Sequence, residues 1–221
     1  MKQVMLVIEG LDGSGKATQT KKLMERLEAL GKEAVKVSFP NYEDDSSALV
    51  KMYLKGDLGQ AEEVNAYAAS LFYTVDRYAT FKKAYEKDWK RGCTIVADRY
   101  TTSNMFHQCT KELRENWDSY LSWLEDLEYQ KVGLPRPTRV IYLDVEPAVS
   151  KTLLSKRYEG DEGKKDIHEA NFNYLLRCRE AALYAAEKFG WTVICCSSGE
   201  GIRSVEDIHE EIWQSVRDCL E

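Results

Sequence analysis

The chain has 221 residues, 43% of them hydrophobic, which is enough for one substantial core, and no shift in composition divides it. A net charge of −6 and an isoelectric point near 5.3 exclude a protein that grips nucleic acid by neutralising many phosphates, since that needs a basic surface. No apolar run reaches the length of a membrane span, and six cysteines without C-x-x-C spacing argue against zinc or a disulfide framework; with no secretory segment read ahead of the first strand, reduced thiols in a cytoplasm are expected.

The first stretch, VMLVIEGLDGSGKATQTKKL from Val4 to Leu23, reads as an apolar strand, a glycine-rich turn and a helix. Gly10, Gly15 and Lys16 have the spacing of a phosphate-binding loop. Gly10, Gly13 and Gly15 let the backbone close around oxygen atoms and aim N–H groups inward, and the helix adds the positive end of its dipole. A triphosphate is the natural guest, with Lys16 reaching its β- and γ-phosphates. Ala17 stands where Ser or Thr usually meets magnesium.

Leu23, Leu27 and Leu30 keep helical spacing until Gly31 stops the helix, and Ala34 to Ser38 reads as a second strand. Phe39-Pro40-Asn41-Tyr42 follows, then an acidic loop from Glu43 to Ser47. Val64 to Lys90, free of Pro and Gly, reads as one long helix carrying Phe72, Tyr73, Asp76 and Arg77; the third strand is Thr94 to Asp98. Thr101 to Gln130 is read as helical, with Trp117, Tyr120, Trp123 and Leu124 as core or dimer contacts. Pro135 and Pro137 precede a fourth strand, Val140 to Val145. A helix from Val149 to Lys156 breaks at a polar, glycine-containing flap, Tyr158 to Asp166, and helix resumes from Glu169 to Phe189. The fifth strand is Thr192 to Cys196, and Ser204 caps a last helix with Ile208, Ile212 and Val216 on one face. Strands alternating with helices predict a three-layer α/β domain with a five-stranded, mostly parallel sheet, and sites beyond the carboxyl ends of the strands. His107, His168 and His209 are too scattered for a metal site and are assigned no chemistry.

No N/T-K-x-D guanine signature is present. With the loop early in the chain and a flap near Tyr158, the sequence resembles the nucleoside monophosphate kinases, and among them the thymidylate kinases, over nearly its whole length. The motifs are EGLDGSGKATQ, FPNY, FYTVDR, DRYTTSN and D-x-x-E from Asp166 to Glu169. The resemblance implies a P-loop NTPase fold in a single domain, 1–221, with a mobile lid at about 157–168. It implies transfer of the γ-phosphate of ATP to dTMP, with magnesium, in a homodimer without nucleic-acid or membrane partners. ATP would lie on Gly10, Leu11, Asp12, Gly13, Ser14, Gly15, Lys16, Ala17, Thr18 and Arg157. The monophosphate would meet Asp12, Phe39, Tyr42, Tyr73 (or Phe72), Arg77, Arg99, Ser103 and Asn104, with Tyr73 stacking on the base and Arg77 four residues later bonding a base carbonyl. Lys16, Asp98, Arg99 and Arg157 would carry the transfer, with Lys164 and Lys165 also in the lid, and Asp12, Asp98 and Glu169 would stand near the metal. Gly13 occupies the place of an Arg in one branch of the family, which assigns the catalytic positive charge to the flap.

Two departures stand out. Ala17 supplies no hydroxyl, so magnesium would rest on phosphates, waters and carboxylates. Asn41-Tyr42 replaces an acid followed by Arg, removing one phosphate-binding cation. Two other readings remain open at this level: a kinase for another nucleoside monophosphate, and a catalytically silent nucleotide-binding paralogue.

Overall fold

The structure is a computed structural model, which describes residues 2–61, 63–146, 149, 172–198 and 201–221. Five strands, β1 (Met5–Gly10), β2 (Ala34–Ser38), β3 (Thr94–Asp98), β4 (Arg139–Asp144) and β5 (Thr192–Cys195), form one sheet in the order β2-β3-β1-β4-β5. Every pairing in it is parallel, with Ile8 opposite both Asp98 and Ile141. All six residues of β1 are buried, as a central parallel strand covered on both faces requires.

Successive side chains of β1 enter opposite layers. Met5 and Val7 pack with Ile95, Ala97, Phe106 and Tyr142. Leu6 and Ile8 pack with Leu23, Leu27, Ile141, Ile208 and Ile212. The second layer is formed by α1 (Lys16–Ala29) and the C-terminal helix α8 (Val205–Val216), whose cap is the expected one, Asp207 N–H donating to Ser204 Oγ at 3.1 Å. The first layer holds α5 (Thr101–His107), α6 (Trp117–Glu125) and α7 (Phe172–Phe189).

After the acidic loop comes a helix that the sequence reading left unassigned: Asp44 accepts Ser46 N–H at 2.9 Å, and α2 (Ala48–Lys55) follows until Gly56 ends it in the left-handed region. The long helix begins at α3 (Ala66–Thr80), capped by Asn65, and passes through a π turn, Phe81–Tyr85, into α4 (Glu86–Arg91). The expected helix from Thr101 to Gln130 is broken, because the backbone is extended at Glu112 and Leu113 between α5 and α6. Trp117, Tyr120, Leu121 and Leu124 are core residues, while Trp123 is only partly buried. A short antiparallel pair, β6 (Ser197–Ser198) with β7 (Gly201–Ile202), has no counterpart in the sequence reading. The flap lies outside the described residues. Among those described, no helix is long and apolar enough to cross a membrane, and all six cysteines are unpaired.

Candidate active site

The loop between β1 and α1 has the conformation its glycines allow. A Cβ on Gly10 would lie 2.4 Å from Ser14 Oγ and 2.9 Å from the Leu143 carbonyl, so only glycine fits there. Gly15 takes the left-handed conformation, φ 86°, at the cap of α1. Lys16, buried at the start of α1, folds back over the loop and donates to the Leu11 carbonyl at 2.8 Å. Ser14 Oγ is buried without a partner, a polar group of the kind a bound anion satisfies. Ala17 and Thr18 are exposed on the first turn of α1.

At the end of β3 the chain turns sharply. Arg99 has φ 67°, unusual for a residue with a side chain, and its N–H donates to the Ile8 carbonyl at 3.1 Å. Glu9, fully buried in β1, organises this turn by accepting from Tyr100 N–H (3.1 Å), Thr102 Oγ1 (2.7 Å) and Ser103 Oγ (2.9 Å). Burial raises its pKa, opposed by the charge of Arg99 and the two hydroxyls. The Arg99 guanidinium pairs with Asp12 and lies 3.2 Å from His107 Nε2. Burial acts to raise the Asp12 pKa, but Arg99 and then Lys16 outweigh it and hold the carboxyl well below its usual range.

A cavity of about 630 Å³, open to solvent, adjoins the loop. Its wall includes Asp12, Phe39, Tyr42, Tyr73, Arg77, Arg99, Ser103 and Asn104. Eight residues from four separate motifs are thus brought together. Phe39 is set by its N–H bond to the Asp98 carbonyl, 3.1 Å, and Asn41 N–H reaches the buried Asp76 at 3.0 Å. Phe72 does not line the cavity; its ring packs on Tyr53 with centroids 6.1 Å apart. Asp98, the last residue of β3, does not line it either, and its charge acts on Lys16. Arg77 is no solvated helix charge, since its side chain is buried in an ion pair with Glu128. Arg157, Lys164, Lys165 and Glu169 lie outside the described residues.

The structure adds wall residues that the sequence reading passed over. His107, given no role there, lines the cavity beside Tyr100 and Gln108. Its Nδ1 lies 3.1 Å from the Tyr174 hydroxyl of α7. Glu9 had a signal, a lone acid in an otherwise apolar strand; His107 and Glu128 had none.

Burial and Arg99 push the Lys16 pKa down to about 8, against Asp12, Asp98 and Glu9, which raise it. Below that pH the free protein carries the cation that a phosphate needs, and above it the ammonium is progressively lost, so kcat/KM for ATP should fall with a one-proton slope as pH rises through about 8. At saturating ATP the phosphate charge raises the lysine pKa again, and kcat should hold to higher pH. A kcat/KM profile flat through this range would remove Lys16 from ATP binding.

A phosphate-binding loop at the carboxyl end of the central strand of a five-stranded parallel sheet, with a cavity beside it lined by arginines and aromatic rings, defines a protein of the P-loop NTPase class. The sequence model of the thymidylate kinase family matches residues 8–212, and the chain belongs to that family. Similar proteins include the thymidylate kinase of Schizosaccharomyces pombe, 29% identical over 96% of this chain and 90% of that one. The thymidylate kinase of Homo sapiens is 29% identical, over 98% of this chain and 91% of its own. The probable thymidylate kinase of Methanosarcina acetivorans is 28% identical, over 100% and 98%. The chain is accordingly an ATP-dependent kinase that phosphorylates dTMP to dTDP.

Proposed function

We propose that the transfer runs between two half-sites joined by the Asp12–Arg99 pair, and this pair is the observation that carries the reading: Asp12 belongs to the phosphate loop and also lines the acceptor cavity. ATP lies on residues 10–18, with Lys16 on its terminal phosphates. dTMP lies in the cavity, with its base between Tyr73 and Arg77, Ser103 and Asn104 beside it, and its phosphate against Arg99, Phe39 and Tyr42. In-line transfer needs position and charge neutralisation more than covalent chemistry. Arg99 suits the acceptor because a guanidinium fork, anchored here by Asp12, offers paired donors to phosphoryl oxygens. Arg157 of the proposed lid, 157–168, adds positive charge and its closure excludes water, which otherwise hydrolyses ATP.

Magnesium suits this donor set. Among the described residues no group of three candidate ligands converges, and a magnesium ion that keeps several waters and phosphate oxygens needs only one or two carboxylates. Asp12 and Asp98, both acting on Lys16, would hold it, with Glu169 as a third contributor. Bound there, it would neutralise phosphate charge in the role that Ala17 leaves to other groups. The six unpaired cysteines support a cytoplasmic enzyme, read here as a single domain over 1–221.

The test is a coupled ADP-release assay with magnesium-ATP and each nucleoside monophosphate in turn. The highest kcat/KM is expected for dTMP; a higher value for another monophosphate would overturn the base assignment.

A homodimer is part of the same proposal. Tyr67, Leu71, Val75 and Tyr78 are between 37% and 49% exposed and follow helical spacing along one face of α3, beside the face that carries the buried Ser70, Thr74 and Arg77. Tyr67 is braced by Trp123, ring centroids 4.6 Å apart. An apolar stripe of this kind marks an association surface. The 25.4 kDa chain should sediment as a dimer, and the double variant Leu71→Glu/Val75→Glu as a monomer.

A further inference from the structure

Glu128 does not line the cavity, yet it is fully buried directly behind a residue that does. It sits in a π turn, Asp126–Lys131, that continues α6; such turns shift the side chains that follow them and recur at functional sites. Its carboxylate takes two donors from Arg77: Nη2 to Oε1, and Nε to Oε2 at 3.3 Å. Thr74, one helical turn before Arg77, brings its hydroxyl to 2.8 Å from the same Oε1. Arg77 and Glu128 are 1% and 0% exposed.

A buried ion pair contributes little to stability over apolar residues of the same volume, because desolvation offsets the attraction. Geometry is what this one supplies. A guanidinium has five N–H donors in a rigid plane and no acceptor. Glu128 engages the Nε–Nη2 edge, and no hydrogen bond among the described residues uses Nη1. Arg77 reaches the cavity wall, so the group left for a ligand is a charged, donor-only edge in a fixed plane.

We infer that Glu128 is a positioning residue for acceptor binding, holding the Arg77 guanidinium so that its Nη1 edge meets a carbonyl of the pyrimidine base. This rests on the reading of the cavity as the dTMP site. Without the carboxylate the guanidinium loses its fixed plane and turns toward other acceptors, and the contact with the base is made only part of the time. The effect belongs to the acceptor, not to ATP.

The experiment is steady-state kinetics on Glu128→Gln, Arg77→Gln and the double variant, with KM measured separately for dTMP and ATP. Glu128→Gln should raise KM for dTMP about tenfold, the worth of one well-placed hydrogen bond, with kcat and KM for ATP within about twofold. Arg77→Gln should raise it at least as much, and the double variant should be no worse than Arg77→Gln, because the two residues act as one unit. Stability should fall either way, because the variant leaves the Arg77 charge buried without its partner; a purely structural role would raise KM for ATP and for dTMP together, and that result would overturn the inference. An unchanged KM for dTMP in Glu128→Gln beside a raised one in Arg77→Gln would overturn the inference. An unchanged KM in Arg77→Gln would overturn the reading of the cavity itself, and this inference with it. If Glu128→Gln fails to fold, Glu128→Asp decides: the charge is kept and the carboxylate withdrawn, so KM for dTMP should rise and be unchanged for ATP, and no rise overturns the proposal.

Discussion

Lys16→Met is expected to lower kcat by about a thousandfold or more, the scale set by removing a principal cation from a phosphoryl-transfer site. KM for dTMP should change little, because Lys16 is not among the residues lining the acceptor cavity. The substitution suits the question. Methionine has nearly the length of lysine, and the site already penalises the ammonium: burial and Arg99 lower its pKa to about 8. What the fold loses is one hydrogen bond to the Leu11 carbonyl, 2.8 Å, worth about 1 kcal/mol. Thermal unfolding should therefore stay close to wild type while turnover collapses, and that separation is the measurement. A loss below about tenfold, in a protein that unfolds normally, would take the lysine out of the transfer and revive the silent nucleotide-binding reading.

The strands were accessible from sequence because each is a short apolar run with its own punctuation. MLVIEG, TIVAD and the run into Leu143 are recognised without knowing their neighbours. Their order was not, since β2-β3-β1-β4-β5 is decided by which helices cover which face and not by anything inside a strand. The helices failed where tertiary contacts override local preference. Between α5 and α6 no Pro or Gly warns of a break, yet the extended Glu112 backbone lets its carbonyl receive Trp117 Nε1 at 3.3 Å, and the ring is buried. The cavity wall shows the same division. Phe39, Tyr73, Arg77, Arg99, Ser103 and Asn104 lie in short motifs with a recognisable spacing, so resemblance could find them. Their supports are distant in the chain: Glu128 is 51 residues from Arg77, and Glu9 is 94 from Ser103. His107 has no second histidine near it in the chain to mark it, and its place beside Arg99 depends on α5 turning it inward.

Arg99→Met should lower kcat/KM for dTMP by about a hundred- to a thousandfold, the usual cost of losing a charge-assisted clamp on a reacting phosphoryl group, and KM for ATP should move far less. The chain has placed this residue at some cost: a side-chain-bearing residue is held at φ 67°, its guanidinium is withdrawn from water, and its charge is kept in place by Asp12, Glu9 and Asp98 acting against burial. Strain of this sort persists where the surroundings over-determine it, and here they do so through the N–H bond to Ile8 and the pair with Asp12. Arg99→Lys should rescue little, since a lysine can neutralise charge but cannot span Asp12 and a phosphoryl oxygen pair in one plane. The contrast with Lys16 is the sharper test of the two-site reading. If the loop serves ATP and the cavity serves dTMP, Lys16→Met and Arg99→Met should divide in KM: the first lowers kcat with KM for dTMP nearly unchanged, and the second raises KM for dTMP with KM for ATP nearly unchanged. Should both raise KM for dTMP equally, the Asp12–Arg99 pair would not join two distinct half-sites, and the donor and acceptor assignments would have to be redrawn together.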